Sequence, residues 1–380
     1  MTLLGLGVVG TSAKENEYRL PLHPEHLPGL DADLRARITL EHGYGGRFGV
    51  TDADLAGSVA GFASREEILA RSDVVLLPKP QHSDIALLRE GAVLWGWPHC
   101  VQDPGLTQLA IDRRLTLIAF EVMNHWTRDG NVGLHVFHKN NELAGYCSVL
   151  QALQLTGRTG DYGRRLRAVV IGFGATARGA VTALNAHGIH DVCVLTTRGV
   201  AAVGSPIHSV RILQFDQEPD DTQHLSHVIT DRGRVPIAPF LAERDVVVNC
   251  TLQDTAAPLT YLSTADVDLF RPRSLIVDVS CDEGMGFEWA RPTTFDDPVF
   301  TVGNVEYYGV DHSPSYLWDS ATWENSLALI PFLRPVLEGA SSWDADETLN
   351  RAIEIRDGQI VNPDILAFQG RSTKHPHLVG

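Results

Sequence analysis

Apolar runs and helical patterns alternate along most of the chain. Leu3–Val9, Arg37–Leu40, Val74–Leu77, Ala92–Trp97 and Leu115–Phe120 are short apolar runs of the length and composition of buried strands. Between them, stretches such as "SREEILARS" and "PGLTQLAIDRR" have helical composition. "ELAGYCSVLQALQLTG" predicts a long helix with Leu143, Tyr146, Val149, Leu150 and Leu153 on one stripe and Gly157 as its stop. A second alternating series starts at "RLRAVVIGFGATARGAVTALNAHGIHDVCVLTTRG" and continues through "HSVRILQF", "RDVVVNC" and "SLIVDVS". A helical pattern around Ser320–Leu337 and a tail with "RAIEIRDGQIVNPDIL" end the chain. Such alternation predicts an α/β fold of two doubly wound, Rossmann-like domains with a cleft between them. The expected division is a substrate domain of residues 1–141 plus 316–380 and a dinucleotide-binding domain of residues 142–315.

Composition narrows the choice of partners. At 380 residues, with 44% apolar and 21% charged positions, the chain exceeds the size at which one hydrophobic core keeps growing. A formal charge of −16 and the lack of any arginine-rich stretch exclude a nucleic-acid ligand. The five cysteines, Cys100, Cys147, Cys193, Cys250 and Cys281, form no C-x-x-C pair and read as reduced packing residues, so no metal site is expected. The start "MTLLGLGVVGTSAKENE" has no basic leader, and no run reaches the length of a membrane span, so a cytoplasmic location is expected.

One glycine pattern carries chemistry. The run Ala168-Val169-Val170-Ile171 leads into Gly172-x-Gly174-x-x-Ala177 and then a helical pattern through Leu184. The first glycine permits a tight turn, and the second lets a pyrophosphate approach the backbone around Ala175 and Thr176. The small Ala177 permits close strand–helix packing. About 20 residues on, where an acid would take the ribose hydroxyl of NAD, the chain has Thr196, Thr197 and Arg198. Hydroxyls and a guanidinium suit a 2′-phosphate, so NADP(H) is expected over NAD(H). Cys250 and Leu252, after "RDVVVN", and Asp282, after "SLIVDVS", are expected to complete the cofactor site, with a helix cap as the competing reading of Asp282.

Several blocks resemble the superfamily of alanine dehydrogenase, the N-terminal part of transhydrogenase, lysine-forming saccharopine dehydrogenase and N5-(carboxyethyl)ornithine synthase. They are "KENEYRLPLHP", "LREGAVLWGWPHCVQDPGLTQLAIDRRLTLIAFEVM" and "IVDVSCDEGMGFEWARPTTFDDPVF". The resemblance implies that Arg19 holds a substrate carboxylate, that Lys79 and His99 are catalytic, and that Glu121 and Asp282 face the substrate. Pro80 follows Lys79 where alanine dehydrogenases have a glutamate, and "HVFHKNNELAGY" replaces their usual entry to the linking helix. "RDVVVNCTLQD", "VDVSCDEG" and "GVDHSPS" look more like the saccharopine dehydrogenase and carboxyethylornithine synthase branch. The resemblance therefore implies an NADP(H)-dependent opine-type dehydrogenase, condensing a 2-oxo acid with an amino acid amine. Its alternatives are reductive amination with ammonia, as in alanine dehydrogenase, and a non-catalytic dinucleotide-binding regulatory protein. The implied partners are an amino acid and a 2-oxo acid, with assembly into a homo-oligomer left open.

Overall fold

A computed structural model describes residues 3–197, 210–217, 226–253 and 258–380. The chain divides into two compact units, Met1–His138 with Trp318–Gly380, and Lys139–Leu317. Each is an α/β unit built on one large, mostly parallel sheet.

In the first unit the strands lie in the order Gln359–Ile360, Ile353–Arg356, Thr116–Ala119, Val93–Gly96, Val74–Leu76, Leu6–Val8, Ile38–Glu41, Gly61–Ala63. The six N-terminal strands are parallel, and the two C-terminal ones add antiparallel at one edge. Side chains alternate between two buried layers. Leu6, Val8, Val74, Leu76 and Trp95 pack with Leu329 and Leu333 of the helix Trp318–Glu338, while Val75, Leu94 and Leu117 pack with Ile68, Leu106 and Ile111. Burial on both faces explains why these strands read as unbroken apolar runs. Helix starts follow local signals. Ser64 and Glu67 form a capping box for Arg65–Arg71, and Asp103 caps Pro104–Asp112.

The second unit's sheet runs Gly233–Pro236, Ser226–Thr230, Arg211–Gln217, Asp191–Thr196, Arg167–Ile171, Val246–Asn249, Ser274–Asp278, Val305–Tyr308, Val299–Val302. Its three outermost strands pair antiparallel, a difference from an all-parallel sheet that is confined to the edges. Val170, Val194, Val248 and Val277 face one core layer, and Val169, Leu195, Val247 and Ile276 the other. The helices His138–Leu155 and Ala175–Ala186 touch through glycines. A methyl group at Gly145 would meet the Thr176 carbonyl oxygen at 1.9 Å, and one at Gly179 the Glu142 carbonyl oxygen at 1.7 Å.

Both sheets share one order. Counting the mutually parallel strands alone, the first of each lies centrally, the second and third continue to one side, and the fourth, fifth and sixth to the other. The crossover direction therefore reverses between Leu6–Val8 and Val74–Leu76 in one unit, and between Arg167–Ile171 and Val246–Asn249 in the other. Loops leaving the carboxyl ends of the strands at such a reversal are where open α/β sheets bind ligands. Among the described residues, no helix is long and apolar enough to cross a membrane.

Candidate active site

In the first unit, Arg19, Lys79, His99 and Glu121 follow four strands that are neighbours in the sheet: Leu6–Val8, Val74–Leu76, Val93–Gly96 and Thr116–Ala119. Parallel pairing brings the carboxyl ends of these strands to one edge. Lys79 Nζ lies 2.9 Å from His99 Nε2. The His99 backbone N–H donates to Glu121 Oε1 at 2.7 Å, and His99 Nδ1 is 3.7 Å from the same oxygen. His99 holds a left-handed backbone, φ +50°, a conformation that non-glycine residues keep only where surroundings impose it. A proton on Nδ1, facing Glu121, leaves Nε2 as the acceptor for Lys79.

Arg19 is held by a partner that the sequence reading missed. Its Nε donates to Glu17 Oε1 at 2.8 Å, its backbone N–H reaches the same oxygen at 3.1 Å, and its Nη2 pairs with Glu17 Oε2. Both residues are buried. Burial pushes the Glu17 carboxyl up, but the charge and hydrogen bonds of Arg19 outweigh it and hold the group below the ordinary range. The visible signal was the Glu17-x-Arg19 spacing in "KENEYR". Trp97 ties the cations together, with the Arg19 guanidinium 5.3 Å and Lys79 Nζ 5.7 Å from its ring centroid. Glu41, also unanticipated, anchors the loop that carries Arg19: its carboxylate accepts the Gly10 and Thr11 N–H groups at 2.7 and 2.8 Å and the Thr11 hydroxyl at 2.7 Å.

In the second unit the glycine turn sits at the sheet's reversal point. Gly172 has φ +111°, and a methyl group there would come within 2.8 Å of the Cys250 carbonyl oxygen. Gly174 is the N-cap of the helix Ala175–Ala186, with no side-chain cap, and a methyl group there would meet nothing within 4 Å. An open approach to a helix N-terminus suits a diphosphate. Ala177 is fully buried in the strand–helix layer, with Ala175 and Thr176 half-buried beside it. Cys250 donates its N–H to the Ile171 carbonyl at 2.8 Å, which places its loop against the glycine turn, and Leu252 is 93% exposed. Thr196 is buried and Thr197 exposed, whereas Arg198 lies outside the described residues.

Asp282 belongs to the second unit, and burial raises its carboxyl. Its loop is anchored by Asp278, whose Oδ1 accepts Cys281 N–H at 2.9 Å and Asn249 Nδ2 at 3.0 Å and whose Oδ2 accepts the Tyr307 hydroxyl at 2.9 Å. His312, near the end of this unit, bonds through Nδ1 to Asp311 Oδ1 and packs against Phe295. The glycine turn, open helix terminus and exposed Leu252 together fit a dinucleotide.

Sequence models of the alanine dehydrogenase/PNT N-terminal and C-terminal domains match residues 8–144 and 164–363. The chain belongs to the alanine dehydrogenase/PNT family. Families of this kind bind nicotinamide dinucleotides, in keeping with the glycine turn. Alanine dehydrogenase of Mycobacterium tuberculosis is 25% identical over 389 residues, 98% of each chain. N(5)-(carboxyethyl)ornithine synthase of Clostridium botulinum is 24% identical over 317 residues, 80% of this chain and 86% of that one. The solved structure of an L-alanine dehydrogenase superposes with a TM-score of 0.75 at 20% identity, covering 96% of this chain and 99% of that one. A transhydrogenase from Sinorhizobium meliloti gives 0.69 at 20% identity, with 94% and 99% coverage. These structural likenesses establish the shared fold.

Proposed function

We propose that this family member is an amino-acid dehydrogenase that interconverts a small 2-oxo acid plus ammonia with the corresponding amino acid, using a nicotinamide dinucleotide. The observation that carries the reading is the Lys79–His99–Glu121 series, placed with Arg19 at the carboxyl ends of neighbouring strands. The alanine dehydrogenase of Mycobacterium tuberculosis matches nearly the full chain, whereas the carboxyethylornithine synthase matches less of it. Ammonia therefore moves ahead of an amino acid as the amine, the reverse of the order that Pro80 and the "VDVSCDEG" and "GVDHSPS" blocks suggested. Condensation with an amino acid amine stays as a second reading on those residues and on that relative.

In this reading the first unit holds the substrate. Arg19, fixed by Glu17 and Trp97, offers a planar fork for the substrate carboxylate. Lys79 directs a donor at the substrate's carbonyl oxygen, and His99 Nε2 takes and returns the proton that Lys79 moves. Glu121 holds the His99 backbone through its N–H, and its charge, 3.7 Å from Nδ1, favours a proton on that nitrogen and so leaves Nε2 as acceptor. Gly172, Gly174 and the N-terminus of Ala175–Ala186 would hold the pyrophosphate, and Leu252 and Asp282 would complete the dinucleotide site. When bound, the nicotinamide supplies the hydride to the substrate carbon or accepts it. The strand Asp191–Thr196 ends without an acid at Thr197, which favours NADP(H) over NAD(H).

Purified protein incubated with NADPH or NADH, pyruvate or 2-oxoglutarate, and ammonium or a panel of amino acids tests the reading. NADPH oxidation dependent on ammonium supports it. Oxidation only with an amino acid selects the condensing reading, and binding of NADPH without any turnover selects a regulatory protein.

A further inference from the structure

Beneath His99, Glu121 neighbours a second carboxyl, Glu354, that the reading above does not use. Glu121 follows the strand Thr116–Ala119, and Glu354 lies on its antiparallel neighbour Ile353–Arg356, at the irregularity between the pairs Ile353–Ile118 and Ile355–Leu117. Glu354 is 2% exposed. Each residue uses one oxygen well: Glu121 Oε1 accepts the His99 N–H at 2.7 Å, and Glu354 Oε1 accepts Asn362 Nδ2 at 3.2 Å. Each also has an Oε2 enclosed by protein with no hydrogen-bond partner. An enclosed, unpartnered carboxylate oxygen costs free energy, and two neighbouring anions in such a place cost more.

The surrounding charges are few. Lys79 and the His99 ring act on Glu121, His135 Nε2 sits 3.2 Å from the Glu121 carbonyl oxygen, and Asp364 acts on Glu354. The Cys100 thiol hydrogen-bonds to the Glu354 side chain, which favours the Glu354 anion; burial, then the charge of Glu354, then that of Glu121 push the thiol up. Burial first and the Glu354 charge next push Glu121 up to about 8, and burial raises Glu354.

We propose that Glu121 and Glu354 hold a single proton between them at neutral pH, which makes Glu354 a positioning residue. It sets whether Glu121 faces His99 and Lys79 as a neutral acid or as an anion. The assignment of a role in turnover rests on the proposed function, but the shared proton does not.

The test is an infrared pH titration of the full chain, following the carbonyl stretch of protonated carboxyl groups without substrate. Glu121→Gln identifies the band that belongs to Glu121. Glu354→Gln, which keeps a group for Asn362 to contact, should move the Glu121 titration down by about one pH unit or more, as the loss of a neighbouring anion requires. Asn362→Ser is the second variant. It retains an acceptor for the cap of Pro363–Gln369 but removes a donor that favours ionised Glu354, so the proton moves to Glu354 and Glu121 again titrates lower. A Glu121 titration unchanged in both variants overturns the proposal. An inactive protein that shows the expected shifts overturns only the proposed function, and an active protein without them overturns only the shared proton.

Discussion

The loops after the first strand of each sheet leave the same topological position and solve different problems. After Ile171 the second unit turns at once on Gly172, and what it presents is backbone: a glycine with φ +111°, the bare Gly174 and the first turn of a helix. After Val8 the first unit runs through a longer loop that Glu41 pins and Glu17 stiffens, and what it presents is a buried guanidinium. A site made of backbone tolerates changes of side chain until an added carbon intrudes. A site made of side chains fails with each one removed. Substitutions in the two places should therefore fail differently.

The largest effect is expected in the first unit. Lys79→Met or His99→Gln should each slow turnover by roughly 10²–10⁴-fold, the usual loss for a proton-transfer group. The double variant should lose far less than the product of the two, because the residues share one hydrogen bond and act as a unit. Dinucleotide affinity, read from NADPH fluorescence, should not change. Near-normal turnover in both single variants would leave the cluster as structural polar packing and erase the contrast.

Next comes the backbone-made site. Gly172→Ala would force an alanine into φ +111° and set its methyl 2.8 Å from a carbonyl oxygen that belongs to the neighbouring loop and cannot rotate away. A loss of roughly 3 kcal/mol is expected from the strained backbone and the clash together. Urea unfolding would read it, and wild-type stability in this variant would place the turn elsewhere.

These two regions were unequally legible in the sequence. The glycine turn was readable because Gly172 and Gly174 stand at a fixed spacing between a strand and a helix, and at Gly172 only a residue without a side chain fits. Arg19, Lys79 and His99 are separated by 60 and 20 positions, and only the family resemblance grouped them. Glu17 stands at a readable spacing from Arg19, but Glu41 and Glu354 had no period or spacing to mark them, since an acid on a strand that ends at a site looks like any solvated acid until the sheet order is known. Glu354 depended further on the antiparallel return of Ile353–Arg356, whose turn Asp357-Gly358 holds positive φ at both residues. The parallel strands were readable for the opposite reason: burial on both faces gives continuous apolar runs, whereas the exposed hairpin Asn124–Trp126 with Val132–His135 gives none.

A smaller effect should appear on the pH axis. Burial raises Asp278 to about 6 despite three hydrogen bonds that favour its anion. Its ordinary unfolded value is about 3.9, so the folded state holds this proton more tightly. The resulting stability is present in full below about pH 4 and is lost as pH rises toward 6, at up to about 1.4 kcal/mol per pH unit. Asp278→Asn should flatten the wild-type slope of unfolding midpoint against pH across that interval. A slope identical in wild type and variant would show that Asp278 does not hold the proton.

The smallest effect on the fold is expected two residues beyond Gly172. Gly174 has φ −81° and ψ −167°, an extended conformation open to any residue, and a methyl group there would meet nothing within 4 Å. Gly174→Ala should therefore leave stability unchanged or raise it by less than about 1 kcal/mol, through the reduced freedom of the unfolded chain. The same open space is the proposed approach of the pyrophosphate to the helix N-terminus, so the added carbon should weaken dinucleotide binding in a protein that is otherwise intact. Gly172→Ala lowers stability and binding together; Gly174→Ala should separate them. The measurement is a thermal midpoint beside an NADPH titration by fluorescence for each variant. An unchanged midpoint with weaker binding places the phosphates against Gly174, whereas full affinity in Gly174→Ala would move them away from this turn and leave Gly172 with a purely architectural role.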